Sequence, residues 1–186
     1  MHERRMTDFC RDDTRWGYFV AAPYPIADGF ARIFRLEQPV GDELTIVRVI
    51  QGRRCETPQS LFQEWAAALQ FPYYFGHNWD AFDECITDLE WLPGSCYTFF
   101  VTQLDLVLPQ YPNDFKAFIE IMHDAHDEWK TPNRYHMNEP TANFTVVFHA
   151  EADKSDEALA RLRAAGADPV EARFSDEFMR LTADRP

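Results

Sequence analysis

The chain lacks the features that mark several classes of protein. It has 186 residues, no CxxC pair among its four cysteines, and no apolar run near the roughly 18 residues of a membrane span. Because Cys10, Cys55, Cys85 and Cys96 lie far apart, we interpret them as free thiols and exclude a zinc ribbon or a thioredoxin-like redox pair. The first residues lack the apolar stretch of a signal peptide. These absences predict a soluble, cytoplasmic protein with no membrane partner.

Catalytic and nucleotide-binding motifs are missing as well. The sequence contains no GxSxG, P-loop or dinucleotide-binding glycine pattern. His123 and His126 are three positions apart, whereas metal-binding pairs on helices are usually four apart, so we interpret both as part of a solvated helix face. We therefore predict no enzyme activity, no cofactor and no bound metal. A divalent-metal hydrolase built from the Asp, Glu and His clusters is the alternative in the enzyme class.

Positive charge is scarce, and it is scarcest in the middle of the chain. Eighteen Lys and Arg stand against 31 Asp and Glu, giving a net charge of −13, which argues against nucleic-acid binding through a basic surface. Between Arg54 and Lys116 lie 61 residues without a single Lys or Arg. Residues 64–128 carry twelve acids and one base, a net charge of −11. Their carboxylates either form a solvated face or bind a positive partner.

Core-forming side chains are abundant. The sequence is 46% hydrophobic and 15% aromatic, with 16 Phe, which predicts a globular fold. Strand patterns occupy 17–22, 31–37, 43–52, 95–108 and 143–150, and helical patterns 58–70, 79–89 and 113–130, followed after 151 by a helix, a glycine stop and a short strand. This alternation predicts an α/β fold with a short parallel sheet covered by helices. We expect 17–22 and 31–37 to form a hairpin or two edge strands, and 43–52 a central strand.

One segment combines aromatic and acidic residues. Residues 72–89 read PYYFGHNWDAFDECITDL, with a loop of three aromatic residues before a helix that Asn78 can cap. The stripe of Trp79, Phe82, Ile86 and Leu89 predicts the buried face of this helix, and Asp80, Asp83, Glu84 and Asp88 lie away from it. Aromatic anchors beside carboxylates are what a surface needs to bind a cationic cleft. A loop histidine, His77, is a candidate for pH-dependent binding.

This segment resembles the signature of the barstar family, small intracellular inhibitors of secreted barnase-like ribonucleases. The family's binding region is similar to Tyr-Tyr-Gly-Glu-Asn-Leu-Asp-Ala-Leu-Trp-Asp-Cys-Leu-Thr, and residues 74–87 align with it without a gap. The identical positions are Tyr74, Gly76, Asn78, Asp80, Ala81, Cys85 and Thr87. The chain departs from the pattern at Glu84, where the family has aspartate, and at Asp83, where it has tryptophan.

The resemblance implies roles for individual residues. Asp80 takes the place of the family's first interface aspartate, Glu84 that of the aspartate that enters the nuclease's phosphate site, and Tyr74 that of the interface tyrosine. Over residues 43–150 the later elements also resemble the family's, which places Asp124 and Glu128 at its later interface glutamates. The implied partner-binding residues are Tyr74, Gly76, His77, Asn78, Asp80, Asp83, Glu84, Asp88, Asp124 and Glu128.

The resemblance also implies a domain plan and a function. Residues 43–150 would form the barstar-like domain, 1–42 an N-terminal extension with strands, and 151–186 a C-terminal helix and strand packed on the same domain. The chain would be a non-catalytic inhibitor, of antitoxin or immunity type, whose carboxylates occupy the RNA phosphate positions of a basic ribonuclease. The alternative is an adaptor whose acidic face binds another basic protein.

Overall fold

A parallel β-sheet forms the centre of the protein. The structure is a computed structural model and describes residues 2–4, 15–22, 45–131 and 142–174. The six strands are β1 (His2–Arg4), β2 (Gly17–Ala21), β3 (Thr45–Gln51), β4 (Cys96–Thr102), β5 (Asn143–Ala150) and β6 (Val170–Phe174). They lie in the order β1-β6-β2-β5-β4-β3, and every adjacent pair is parallel. The predicted α/β class with a parallel sheet is confirmed.

The described residues form four α-helices beside the sheet. They are α1 (Pro58–Leu69), α2 (Trp79–Asp88), α3 (Pro112–Trp129) and α4 (Ser155–Ala164), and short 3₁₀ turns follow β3 and β4. The start of α1 follows from its sequence: Thr57 and Ser60 exchange the two hydrogen bonds of a capping box, and Pro58 occupies the first helical position, where no amide hydrogen is needed.

The helices all pack on one face of the sheet, around an aromatic core. Trp65 of α1 is fully buried, and its ring centroid lies 5.5 Å from that of Phe82 in α2, 5.7 Å from Phe118 in α3 and 5.3 Å from Phe99 in β4. The buried side chains of α4 join the same cluster, whereas a smaller cluster around Tyr18 covers the opposite face. α2 and α3 are therefore in contact, and their outward faces lie side by side.

The strand positions differ from the prediction in two places. β2 lies between β5 and β6 rather than at an edge, because Tyr18, Phe19 and Val20 are buried on both of its faces. The prediction of a central strand at 43–52 was wrong, because β3 lies at one edge of the described sheet and pairs only with β4 among the described strands. Its Arg48 donates to the carbonyl oxygen of Ala68 at 2.9 Å. The predicted strand at 31–37 lies outside the described residues.

Arg161 of α4 binds the connection between β4 and α3. Its Nη1 donates to the carbonyl oxygens of Val107 at 2.6 Å and Leu104 at 3.3 Å, and its Nη2 donates to Leu108 at 2.6 Å. Its guanidinium carbon lies 3.7 Å from the ring centroid of Phe115, within the range of a cation–π contact. We propose on these contacts that the C-terminal segment folds in one cooperative unit with the rest.

Replacing Arg161 by methionine should lower the free energy of unfolding by about 2–4 kcal/mol, because three partly buried carbonyl oxygens lose a charged donor. The control is Arg163→Met on the same helix, whose exposed ion pair with Glu171 should contribute less than about 1 kcal/mol. Urea unfolding followed by circular dichroism measures both. A separate early transition in Arg161→Met, with the main transition unchanged, would contradict a single cooperative unit.

Candidate functional site

The three aromatic residues of the loop before α2 differ in burial. Phe75 is buried, with its ring centroid 4.9 Å from that of Phe71 and 6.1 Å from that of Phe62. Tyr73 and Tyr74 point outward, with exposed fractions of 101% and 66%, and their centroids lie 5.6 Å apart. Phe75 thus anchors the loop in the core and presents two tyrosines to solvent. The sequence pattern could not separate these neighbours, and Tyr73 was missed as a candidate.

Three predicted site residues shape the turn that leads into α2. The Oδ1 of Asn78 accepts from the Ala81 amide at 2.9 Å and caps the helix, while its Nδ2 donates to the Gly76 carbonyl at 3.3 Å. A Cβ at Gly76 would lie 2.9 Å from that Nδ2, so the turn favours glycine. His77 has a φ of 51°, and its Nδ1 lies 2.9 Å from the Phe75 carbonyl oxygen. The polar groups of this turn fix its shape.

Five predicted carboxylates gather where α2 meets α3. The pKa of Asp83, which is half-buried, is raised first by loss of water and then by the negative charges of neighbouring carboxylates on both helices. The neighbours that act on it are Glu128, Asp124, Glu84 and Asp80, in that order. We call these five residues the acidic surface. The fold therefore brings the acids of α2 and α3 together, although they are some forty residues apart in sequence.

Two tryptophans hold the helices that carry the acidic surface. Trp79 Nε1 donates to Asp114 Oδ1 at 2.8 Å, which joins the start of α2 to the start of α3. Trp129 Nε1 donates to the Ile86 carbonyl oxygen at 3.0 Å and joins their other ends. The carboxylate of Asp114 thus accepts a hydrogen bond within the protein. Glu120, the next acidic residue in the sequence, forms an ion pair with Lys116 at 3.4 Å.

A second group surrounds a small groove between the loop and α2. Tyr74, Phe75, Ala81, Glu84, Cys85, Asp88 and Trp91 line a cavity of about 250 Å³, which we call the groove. The pKa of Tyr74 is raised by loss of water and then by the charge of Asp88, and burial with the charges of Asp88 and Glu84 raises that of Cys85 to about 11. Glu84 belongs to both groups and joins the groove to the acidic surface. The sequence pattern did not indicate Trp91, because this residue lies beyond the end of α2.

The histidines of α3 differ from the prediction. His123 is exposed, with its ring 5.3 Å from that of Trp16, but His126 is buried and its Nδ1 lies 2.6 Å from the Phe144 carbonyl oxygen. The assignment of His126 to a solvated face was wrong, because α3 turns this side chain toward β5. Burial lowers the pKa of His126. Among the described residues, no group of three or more His, Cys, Asp or Glu side chains is placed to hold a metal ion.

The cysteines are also partly different from the prediction. Cys55 and Cys85 are buried free thiols, and burial followed by the charge of Glu64 raises the pKa of Cys55 to about 12. Cys96 is buried as well, but it is disulfide-bonded, so the interpretation of all four cysteines as free thiols was wrong. None of the described helices combines the length and the apolar character that crossing a bilayer requires.

Comparisons with known proteins identify the family of this chain. A structural comparison finds a chain in the structure of Drosophila ORC bound to AT-rich DNA and Cdc6, with 11% identity and a TM-score of 0.42; the match covers 89% of this chain and 52% of the other, so this chain spans about half of its length. Similarity this low indicates nothing about function. No curated protein matches. The family model described as Barstar (barnase inhibitor) matches residues 45–149, which contain the acidic surface and the groove. The chain therefore belongs to the barstar family.

Proposed function

We propose that this protein is an intracellular inhibitor, of antitoxin or immunity type, that blocks the active site of a basic, barnase-like ribonuclease. One observation carries the proposal: the acidic surface and the exposed Tyr74 adjoin each other through Glu84. Membership of a family of barnase inhibitors supports an inhibitory function, and these residues supply the binding surface. The protein itself performs no chemistry in this proposal.

The proposed mechanism is occlusion by mimicry of RNA. A ribonuclease binds phosphates with Arg, Lys and His side chains, and carboxylates offer those side chains similar charge-assisted hydrogen bonds. Asp80 and Glu84 are four residues apart on α2 and so lie on one face, and Glu84 lines the groove together with Tyr74. These two carboxylates act as the anchors, and the charges of Asp83, Asp88, Asp124 and Glu128 mainly accelerate association. Gly76, His77 and Asn78 position the loop and the start of α2.

The raised pKa of Asp83 supports a role for this residue in binding a partner. The folded chain disfavours the charged form of this carboxylate, since it loses water and faces four other acids. A carboxylate whose pKa is raised by burial and by neighbouring acids is typical of a site whose charge is balanced by a partner. Guanidinium or ammonium groups of a ribonuclease would supply that balance.

Glu84→Ala should leave the fold intact and weaken nuclease binding about a hundredfold or more, because an exposed anchor loses its ion pairs with the partner. The measurement is RNA cleavage by barnase-like ribonucleases titrated with the inhibitor, at low and high salt. Asp153→Ala is the control, because it removes one exposed charge outside the acidic segment and should change binding less than about twofold. Failure of the unmodified protein to inhibit any such nuclease at a one-to-one ratio would contradict the proposed function.

Asp83→Asn should raise the free energy of unfolding at pH 7 by about 0.5 kcal/mol, because a repelled carboxylate becomes neutral. The pKa of Asp83 in the folded protein lies above its ordinary value of 3.8. Below pH 3.8 the carboxyl group is therefore mostly protonated and does not destabilise the fold, and this benefit is lost as the pH rises through the folded pKa. The gain in Asp83→Asn should therefore vanish below pH 3.8.

The matched comparison for this prediction is Asp80→Asn on the same helix. Asp80 lies in the first turn of α2, where the helix dipole stabilises a negative charge, so its removal should give a smaller gain or a loss. Denaturant unfolding at several pH values measures both variants. Equal gains for the two variants at every pH would show that general charge reduction, and not the site around Asp83, is responsible.

A further inference from the structure

We propose that His149 forms a pH-dependent contact that holds the carboxyl end of β2 against the rest of the sheet and releases it when the imidazole takes up a proton. The contact consists of two hydrogen bonds to backbone groups. Nε2 of His149 lies 3.0 Å from the carbonyl oxygen of Ala22, and Nδ1 lies 3.3 Å from the amide nitrogen of Gln103. We call these two bonds the imidazole contact. None of its three residues belongs to the acidic surface or lines the groove.

The imidazole contact joins three segments at one edge of the sheet. His149 is the last residue but one of β5, Gln103 directly follows β4, and Ala22 directly follows β2. Because these strands are parallel, their carboxyl ends meet at that edge. Ala22 lies outside residues 45–149, whereas Gln103 and His149 lie within them. The contact therefore attaches the N-terminal segment to the part of the chain that matches the family.

The two backbone partners fix the ring in one neutral form. A carbonyl oxygen only accepts hydrogen bonds, so Nε2 must carry the hydrogen that it donates to Ala22. A backbone amide only donates, so Nδ1 must offer a lone pair that accepts from Gln103. A proton added to Nδ1 would place two N–H donors against each other at 3.3 Å. Protonation of the ring and the imidazole contact are therefore incompatible.

The surroundings of His149 also disfavour a charged ring. The side chain is fully buried, and burial lowers its pKa. The hydrogen bond to Ala22 raises the pKa, as do the charges of Glu151 and Asp105, but their combined influence is smaller. Glu151 follows β5 and Asp105 lies in the turn after β4, and they are the charged groups among the described residues that act on this ring. The described residues beside it on the neighbouring strands are uncharged: Val20 of β2 and Phe100 of β4.

The stability that the imidazole contact supplies is present at high pH and lost at low pH. The ordinary pKa of histidine is 6.5, and the pKa of His149 in the folded protein lies below it. Once the pH falls below 6.5, an opened segment takes up a proton that the closed segment excludes. One proton shifts the opening equilibrium by up to about tenfold for each pH unit, until the pH reaches the folded pKa.

The first experiment determines the form of the buried imidazoles in the unmodified protein. Long-range ¹H–¹⁵N spectra at pH 7 show which ring nitrogen carries hydrogen. We expect the Nε2–H form for His149. The matched control is the buried His126, which should have the Nδ1–H form because its Nδ1 lies 2.6 Å from the Phe144 carbonyl oxygen. A charged ring or the Nδ1–H form at His149 would overturn the proposal.

Hydrogen exchange of the Gln103 amide tests whether the contact opens in acid. Its protection, corrected for the intrinsic effect of pH on exchange, should fall by up to about tenfold per pH unit below 6.5 while the far-UV circular dichroism stays native. The control is the Val146 amide, which binds the same N-terminal segment by donating to the Trp16 carbonyl oxygen at 2.8 Å. Its protection should change less than about twofold. An equal loss at both amides, or no loss at Gln103, would overturn the proposal.

A matched pair of variants separates His149 from other titrating groups. His149→Gln keeps an N–H donor for Ala22 but takes up no proton, so the protection of Gln103 should change with pH by less than about twofold. His123→Gln, at an exposed position on α3, should leave the full pH dependence in place. Persistence of the pH dependence in His149→Gln would overturn the proposal. If His149→Gln does not fold, the spectra and the exchange of the unmodified protein decide the outcome.

Discussion

Two indole hydrogen bonds hold α2 against α3, and the acidic surface depends on them. Trp79 and Trp129 each donate across the helix pair, one at either end of α2. Both helices carry outward-facing acids, so electrostatic repulsion opposes their contact, and the buried rings and hydrogen bonds between them must outweigh it. Because a hydrogen bond from an indole N–H is directional, the pair also fixes which carboxylates of α3 face Asp83. The core therefore sets the spacing of charges that a partner would meet.

Local signals in the sequence predicted most of what builds the site. The capping residue Asn78 and the apolar stripe of α2 are each complete within a few turns of chain, so propensity and periodicity reveal them. The long stretch without Lys or Arg is found by composition alone. The same signals placed Asp80, Glu84 and Asp124 on outward faces. The family resemblance placed Asp124 and Glu128 at the same interface as the acids of α2, whereas no local pattern specifies which helices become neighbours.

The remaining features depend on long-range packing. The position of β2 in the middle of the sheet comes from its parallel pairing with β5, far along the chain, and a strand buried on both faces has the same composition as other apolar strands. In the loop, Tyr73, Tyr74 and Phe75 are consecutive aromatic residues, and only the Phe62 and Phe71 rings decide that Phe75 is the one buried. His126 likewise looks solvated by its polar neighbours until β5 packs against it.

Described residues outside the family match line a cavity together with one residue of the acidic surface. β2 and β6 extend the sheet on the side away from β3, and α4 binds the connection below α3 through Arg161. A second cavity, of about 730 Å³, lies where the additions meet α3, and of the acidic surface only Asp124 is among its described lining residues. Trp16 packs there against His123, the neighbour of Asp124. The additions can thus support one end of the acidic surface, while the described residues that line the groove all lie within 74–91.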